Sequence, residues 1–207
     1  MKHPLQAADD ARTVEFFTGL LQAHGSGPRV LNWGSAAAQE RRFEVLAAVG
    51  DLAGASVLDV GCGLGDFYGW QRRRGLAVNY VGVDLTPGLV DAARTRFPEA
   101  EFRVADVFTD DGAEFDFVIA SGIFYLRQHE PERFLEQAVA RMFARCRRGV
   151  AFNSLSTWSA RQDAGEFYAD PLRTVDYCRT LTPRVVLRHD YHPGDFTVHL
   201  LKSASSS

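Results

Sequence analysis

The stretch VLDVGCGLGD, residues 57–66, constrains this chain more than any other. An apolar run with the look of a buried strand ends in Gly61, Gly63 and Gly65. A glycine-rich turn directly after a strand lets backbone come close to a ligand. In an open α/β sheet such a turn lies at the carboxyl edge of the strands, where ligands bind.

The residues around the glycines restrict the ligand. A P-loop needs Lys followed by Ser or Thr, whereas Asp66 and Phe67 follow Gly65. A dinucleotide fingerprint puts its third glycine at position 66, which is Asp66. Asp59 adds a second carboxylate, and the turn has no Lys or Arg. Phosphate therefore fits poorly. A cationic ligand fits better, and S-adenosylmethionine (SAM) carries a sulfonium, an ammonium group and no phosphate. Backbone N–H groups suit its carboxylate, and Asp59 suits its cationic end. Asp66 also reads simply as a helix cap.

Beyond the turn, strands and helices alternate. Strand patterns fall at 56–60, 79–84, 101–106, 115–121 and 149–155. Helical patterns fall at 66–75, ending on Gly75, at 86–97, with Thr86 as N-cap and Pro87 first inside, and at 130–148, with basic residues closing it. This rhythm implies right-handed crossovers and a mostly parallel, doubly wound sheet. PRVVLRHDY and FTVHLLK, joined by HPGD, read as a terminal hairpin, so the last strand is antiparallel. Helical stretches at about 9–24 and 36–49 precede the first strand. They predict a cap (1–50) over the ligand edge of a core (51–202), with a frayed tail at 203–207, all in one domain.

Two later strand ends also carry acids. Asp84 closes YVGVD, where a carboxylate can accept both ribose hydroxyls. Asp106 closes FRVAD, suited to an adenine amino group, with Val107 and Leu85 on the apolar faces of the ring.

With these residues in view, the sequence resembles the class I SAM-dependent methyltransferases over about residues 50–202. VLDVGCGLGD is similar to the family's first motif, VGVDLTPGLVDAAR to the second, RVADVF to the third and FDFVIASGIFYL to the fourth. The resemblance implies a seven-stranded sheet of order 3-2-1-4-5-7-6 with a reversed last strand. It places Gly61, Gly63 and Gly65 under the methionine part, Asp84 on the ribose, Asp106 with Val107 at the adenine, and the Ser121 carbonyl on the cofactor's amino group. ASGIFY departs from the Asn/Asp-Pro-Pro-Tyr pattern of amino-methylating members, and Ser121 replaces an acidic metal ligand of catechol-type members. VLNWGSAAAQERRF is similar to the region ahead of the first motif in uncharacterised bacterial methyltransferases. There Arg42, sharing a helix face with Gln39, is expected on the SAM carboxylate, and Trp33 over the cofactor.

Methyl transfer needs a base only if the acceptor loses a proton early. Candidates at strand ends are Tyr125, His129, Asn153, His189, Tyr191 and His192. HDYHPGDFTVH holds ligand-type residues, but adjacent strand residues face opposite ways and Pro193-Gly194 marks a turn, so no metal is expected. The net charge of −3 and the absence of a basic stripe favour a small-molecule acceptor over nucleic acid. No apolar run approaches the roughly 20 residues of a membrane span. Unpaired Cys62, Cys146 and Cys178, with no secretory signal, point to the cytoplasm. Two alternatives stay open: a SAM-binding protein without catalysis, and an NAD-dependent oxidoreductase, which Asp66 disfavours. Oligomeric state is not legible.

Overall fold

A computed structural model describes residues 4–25, 36–109, 112–126 and 128–203. The strands are β1 (Ser56–Val60), β2 (Asn79–Asp84), β3 (Glu101–Val104), β4 (Phe115–Ala120), β5 (Cys146–Leu155), β6 (Val185–Arg188) and β7 (Asp195–Leu201). The helices are α1 (Pro4–His24), α2 (Ala36–Ala47), α3 (Asp66–Arg73), α4 (Pro87–Arg96), α5 (Pro131–Ala144) and α6 (Pro171–Leu181). The strands form one seven-stranded sheet in the order β3-β2-β1-β4-β5-β7-β6. Strand β7 runs antiparallel to both β5 and β6, while β1 to β5 pair in parallel.

Side chains alternate across the pleat, and the two faces bury different helices. Val57, Phe117, Ile119 and Ala151 pack with Phe43 of α2, Phe67 and Trp70 of α3, and Val90 and Ala93 of α4. On the opposite face, Leu58, Val118, Val150 and Phe152 pack with Leu135, Ala138, Val139 and Met142 of α5 and Cys178 of α6. The central strands are thus covered twice, which is why they read as continuous apolar runs. Helix α1 belongs to neither layer. Its Phe17, Leu20 and Leu21 gather around Leu64 and Leu89, close to the glycine turn. Gly88 permits this approach, because a Cβ there would stand 2.9 Å from Leu21 Cδ2.

Strand β3 ends at Val104, two residues before the expected Asp106, and two larger differences from the sequence reading have clear causes. Helix α5 stops at Ala144, and Cys146, Arg147 and Arg148 open β5 instead of closing the helix. The cause is pairing: Cys146 lies opposite Phe115, and Phe115 N donates to Arg145 O at 2.9 Å. Helix α6 had no helical expectation, yet its start signal is strong. Pro171 occupies its first turn, and the Asp170 carboxylate accepts from Leu172 N at 2.8 Å and Arg173 N at 3.1 Å. No helix among the described residues is long and apolar enough to cross a membrane.

Candidate active site

The glycine turn is held from below by the next strand. The N–H groups of Gly61 and Cys62 both donate to Val83 O, at 2.8 and 3.0 Å. Gly61, at φ 72°, lies where only glycine fits easily, and a Cβ there would run into Ile123 Cγ2. Asp84 ties the turn to the end of β2: one oxygen accepts from Gly63 N at 3.0 Å and the other from Thr86 N at 2.8 Å. Burial raises the Asp84 carboxyl above its usual range, against these backbone donors.

These elements border a cavity with about 910 Å³ of empty space, part of it open to solvent. Gly61, Gly63, Asp84, Leu85, Asp106, Val107 and Ser121, all expected at a cofactor, line it. The Asp106 carboxylate accepts from Phe108 N at 2.9 Å, which sets the backbone at the end of β3. Opposite the glycines, Asn153 fixes the turn after β4. Its Oδ1 accepts from Gly122 N at 2.9 Å and its Nδ2 donates to Ser121 Oγ at 3.1 Å. Ile123 then stands against Gly61 and completes that wall.

Other expected residues lie elsewhere. Asp59 faces the core, where Tyr80 OH donates to it at 2.7 Å. Burial, with Asp84 and Asp66 nearby, pushes its carboxyl up to about 7, while the Tyr80 bond opposes the shift. Gly65 is not a cavity wall; a Cβ there would meet Phe102 at 2.9 Å, so it serves packing. Arg42 forms a buried ion pair with Asp195 at the start of β7, in place of the expected cofactor carboxylate. Gln39 of the same helix donates to Asp66 at 3.1 Å, so Asp66 binds side chains. Trp33 lies outside the described residues.

Among the candidate bases, only Tyr125 lines the cavity. His129 is bound to Asp9 of α1, with Nδ1 2.7 Å from Oδ1. His189 meets the buried Ser156 Oγ at 2.7 Å and stacks on Trp158. His192 Nδ1 accepts from Gly194 N at 3.1 Å, closing its own turn. Asp190 pairs with Arg188. Of the ligand-type residues of HDYHPGD, His189 and Asp190 are drawn to separate partners, while His192 Nδ1 lies 3.4 Å from Asp195. Cys62 is buried, and its thiol is held well above the usual range by burial beside Asp84 and Asp59, which leaves it inert.

The largest feature not assigned residue by residue from sequence is the roof. Asp10, Thr13 and Phe17 of α1 enter the cavity wall. Their spacing of three and four residues marks one helix face. Phe108 and Phe134 close another side, their rings 5.6 Å apart.

A family model described as a methyltransferase domain matches residues 57–149, from β1 into β5. The chain is also 34% identical over 160 residues to a putative methyltransferase, Rv1506c, of Mycobacterium tuberculosis, covering 72% of this chain and 94% of that one. It belongs to the SAM-dependent methyltransferases. The methyltransferase is 36% identical over 93 residues to the magnesium-protoporphyrin O-methyltransferase of Rhodobacter capsulatus, which covers 42% of this chain and 41% of that one. Its fold resembles the crystal structure of magnesium protoporphyrin IX methyltransferase from Synechocystis PCC 6803, with TM-score 0.68 and 14% identity over 94% of this chain and all of that one. SAM is the cofactor of the family. The cavity fits it: close-approach glycines, acids at two strand ends and apolar walls surround one space.

Proposed function

We propose that the methyltransferase acts on a small-molecule acceptor through an oxygen or nitrogen nucleophile. The carrying observation is the cavity itself: one space runs from the glycine turn to a wall built by α1 and Tyr125. The glycine turn would hold the methionine part, Asp84 the ribose, and Asp106, Val107 and Leu85 the adenine, with the Ser121 carbonyl toward the amino group. Bound SAM supplies a methyl group that is already activated. The protein's part is then to hold the acceptor close and aligned, which can contribute about 7–11 kcal/mol. Phe17, Tyr125 and Phe134 offer apolar surface for an acceptor, and Tyr125 adds a hydroxyl. A named relative that methylates an oxygen of a small molecule supports this class.

The reading is tested in two steps. Calorimetry with S-adenosylhomocysteine (SAH) should show one site per chain. Methyl-labelled SAM is then offered with a small-molecule library, with bulk RNA and with protein. Label in a low-mass product is expected. Label found only in RNA or protein would overturn the acceptor class.

A further inference from the structure

Asp9 lies on α1 and is buried, only 5% exposed, although the helix rests on the outside of the fold. Both of its oxygens meet one residue far along the chain. Oδ1 meets His129 Nδ1 at 2.7 Å, and Oδ2 accepts from the backbone N–H of His129 at 3.1 Å. Arg12, one turn further on, donates to the same carboxylate and stands 3.3 Å from the same ring nitrogen. Burial by itself would raise the Asp9 carboxyl; the bonds from His129 and Arg12 outweigh it and keep it below its usual range.

This carboxylate therefore joins α1 to the segment between β4 and α5. Both partners border the cavity. Asp10, Thr13 and Phe17 follow Asp9 on α1, and Tyr125, Leu126 and Gln128 precede His129. Thr13 Oγ1 donates to Asp9 O at 2.9 Å, so the wall residue and the joining residue share one helical turn. Among the described residues, α1 also packs on the small apolar cluster around Leu64 and Leu89, separate from both main core layers, and its Phe17 ring meets that of Tyr125 edge-on, centroids 6.4 Å apart. A helix outside both core layers opens more readily than the sheet beneath it. The Asp9–His129 pair ties its N-terminal half to the segment beside the cavity.

We infer that Asp9 is a positioning residue for this enzyme: through His129 it seats α1 as the roof of the methyl-transfer chamber. The inference rests on the cavity being the cofactor and acceptor site. Its consequence is that bound cofactor and a closed α1 stabilise each other, by linkage.

The test uses Asp9→Asn, His129→Asn and the double variant of the full chain. SAH affinity is read by calorimetry, and amide exchange of residues 4–25 is followed with and without SAH. In the wild type, SAH should slow exchange in α1. Each single variant should bind SAH about tenfold more weakly, the scale of a lost hydrogen bond to a charged group. Each should lose the protection of α1 while amides of β1 and β4 exchange as before. The double variant should be no weaker than either single one, since both act through one contact. An Asp9→Asn protein that binds SAH within twofold of wild type, with α1 still protected, overturns the inference. So do single effects that add. If Asp9→Asn also loses protection in the sheet, His129→Asn, altered at a half-exposed ring, decides alone. Wild type that does not bind SAH would sink the cofactor reading itself, before any variant is made.

Discussion

The side-chain carbonyl of Asn153 accepts the backbone N–H of Gly122 at 2.9 Å, and so a residue of β5 shapes the turn that ends β4. The same amide donates to Ser121 Oγ. Asn153 itself is 4% exposed, and its two partners stand at the edge of the cavity. Asn153→Ala leaves the half-buried Gly122 N–H without its side-chain acceptor, a cost of about 1 kcal/mol. The freed turn also carries Ser121 and Ile123 in the cavity wall. Chemical denaturation should show the stability loss, and calorimetry should show weaker SAH binding. Stability lost with SAH affinity intact would mean that the turn does not face the cofactor.

Gly61 and Ile123 give a sharper test of the glycine turn. Gly61→Ala places a side chain at φ 72° and against Ile123. The backbone strain is of order 1–3 kcal/mol, and the wall must move. SAH binding should fall by at least about tenfold. Ile123→Ala in the same chain removes the collision but leaves the backbone strain, so it should restore part of the affinity. If the double variant binds no better than Gly61→Ala, the collision is not what matters.

Reading the sequence succeeded where one residue type meets one local requirement. Thr86 holds the N-cap position without its side chain capping the helix, but Gly61 and Gly63 at positive φ, Pro87 at the start of α4, and the terminal hairpin all have local causes. So did the acids at the ends of β2 and β3, because strand ends in a parallel sheet share one edge. What escaped is set by partners distant in sequence. Arg42 faces Asp195, 153 positions away, as the numbering shows. Asp9 faces His129, and Asn153 faces Gly122. A motif names a residue's neighbours along the chain; it does not say which side chain will reach it across a sheet. Helix α6 is different: Asp170-Pro171 was a readable start signal.

Arg42 and Asp195 form a pair in which both side chains are largely out of solvent, at 12% and 3% exposure. His192 Nδ1 is also 3.4 Å from Asp195. Arg42→Ala leaves the Asp195 carboxylate buried without its main counter-charge, a loss of about 3–5 kcal/mol. Replacing both, with Arg42→Met and Asp195→Leu, should recover most of that loss, since apolar residues of similar volume often do as well as a buried ion pair. SAH affinity of Arg42→Ala, measured below its unfolding temperature, should stay within twofold of wild type. A large loss of SAH binding in a folded Arg42→Ala protein would return this arginine to the cofactor carboxylate.

Asp59 gives the fold a pH dependence whose sign can be worked out. Its carboxyl is pushed up to about 7 by burial and by Asp84 and Asp66, against the Tyr80 hydrogen bond; the ordinary value is 3.8. Between those two values the native state holds a proton that the unfolded chain has released. Stability therefore falls as pH rises through this window, by up to about 4 kcal/mol, and is flat with respect to this group above it. Asp116 acts in the opposite direction and at lower pH. Its carboxyl is lowered to about 2, first by the Ser56 backbone bond and also by Arg147, so its contribution is lost only as pH falls below the ordinary value. Asp59→Asn keeps an oxygen for Tyr80 OH and removes the titration. Denaturant unfolding at pH 5 and pH 8 should show the variant gaining on wild type at the higher pH. A smaller slope should remain, because Asp84 is also raised by burial. Parallel stability curves for the two proteins would show that Asp59 does not change its protonation across this range on folding.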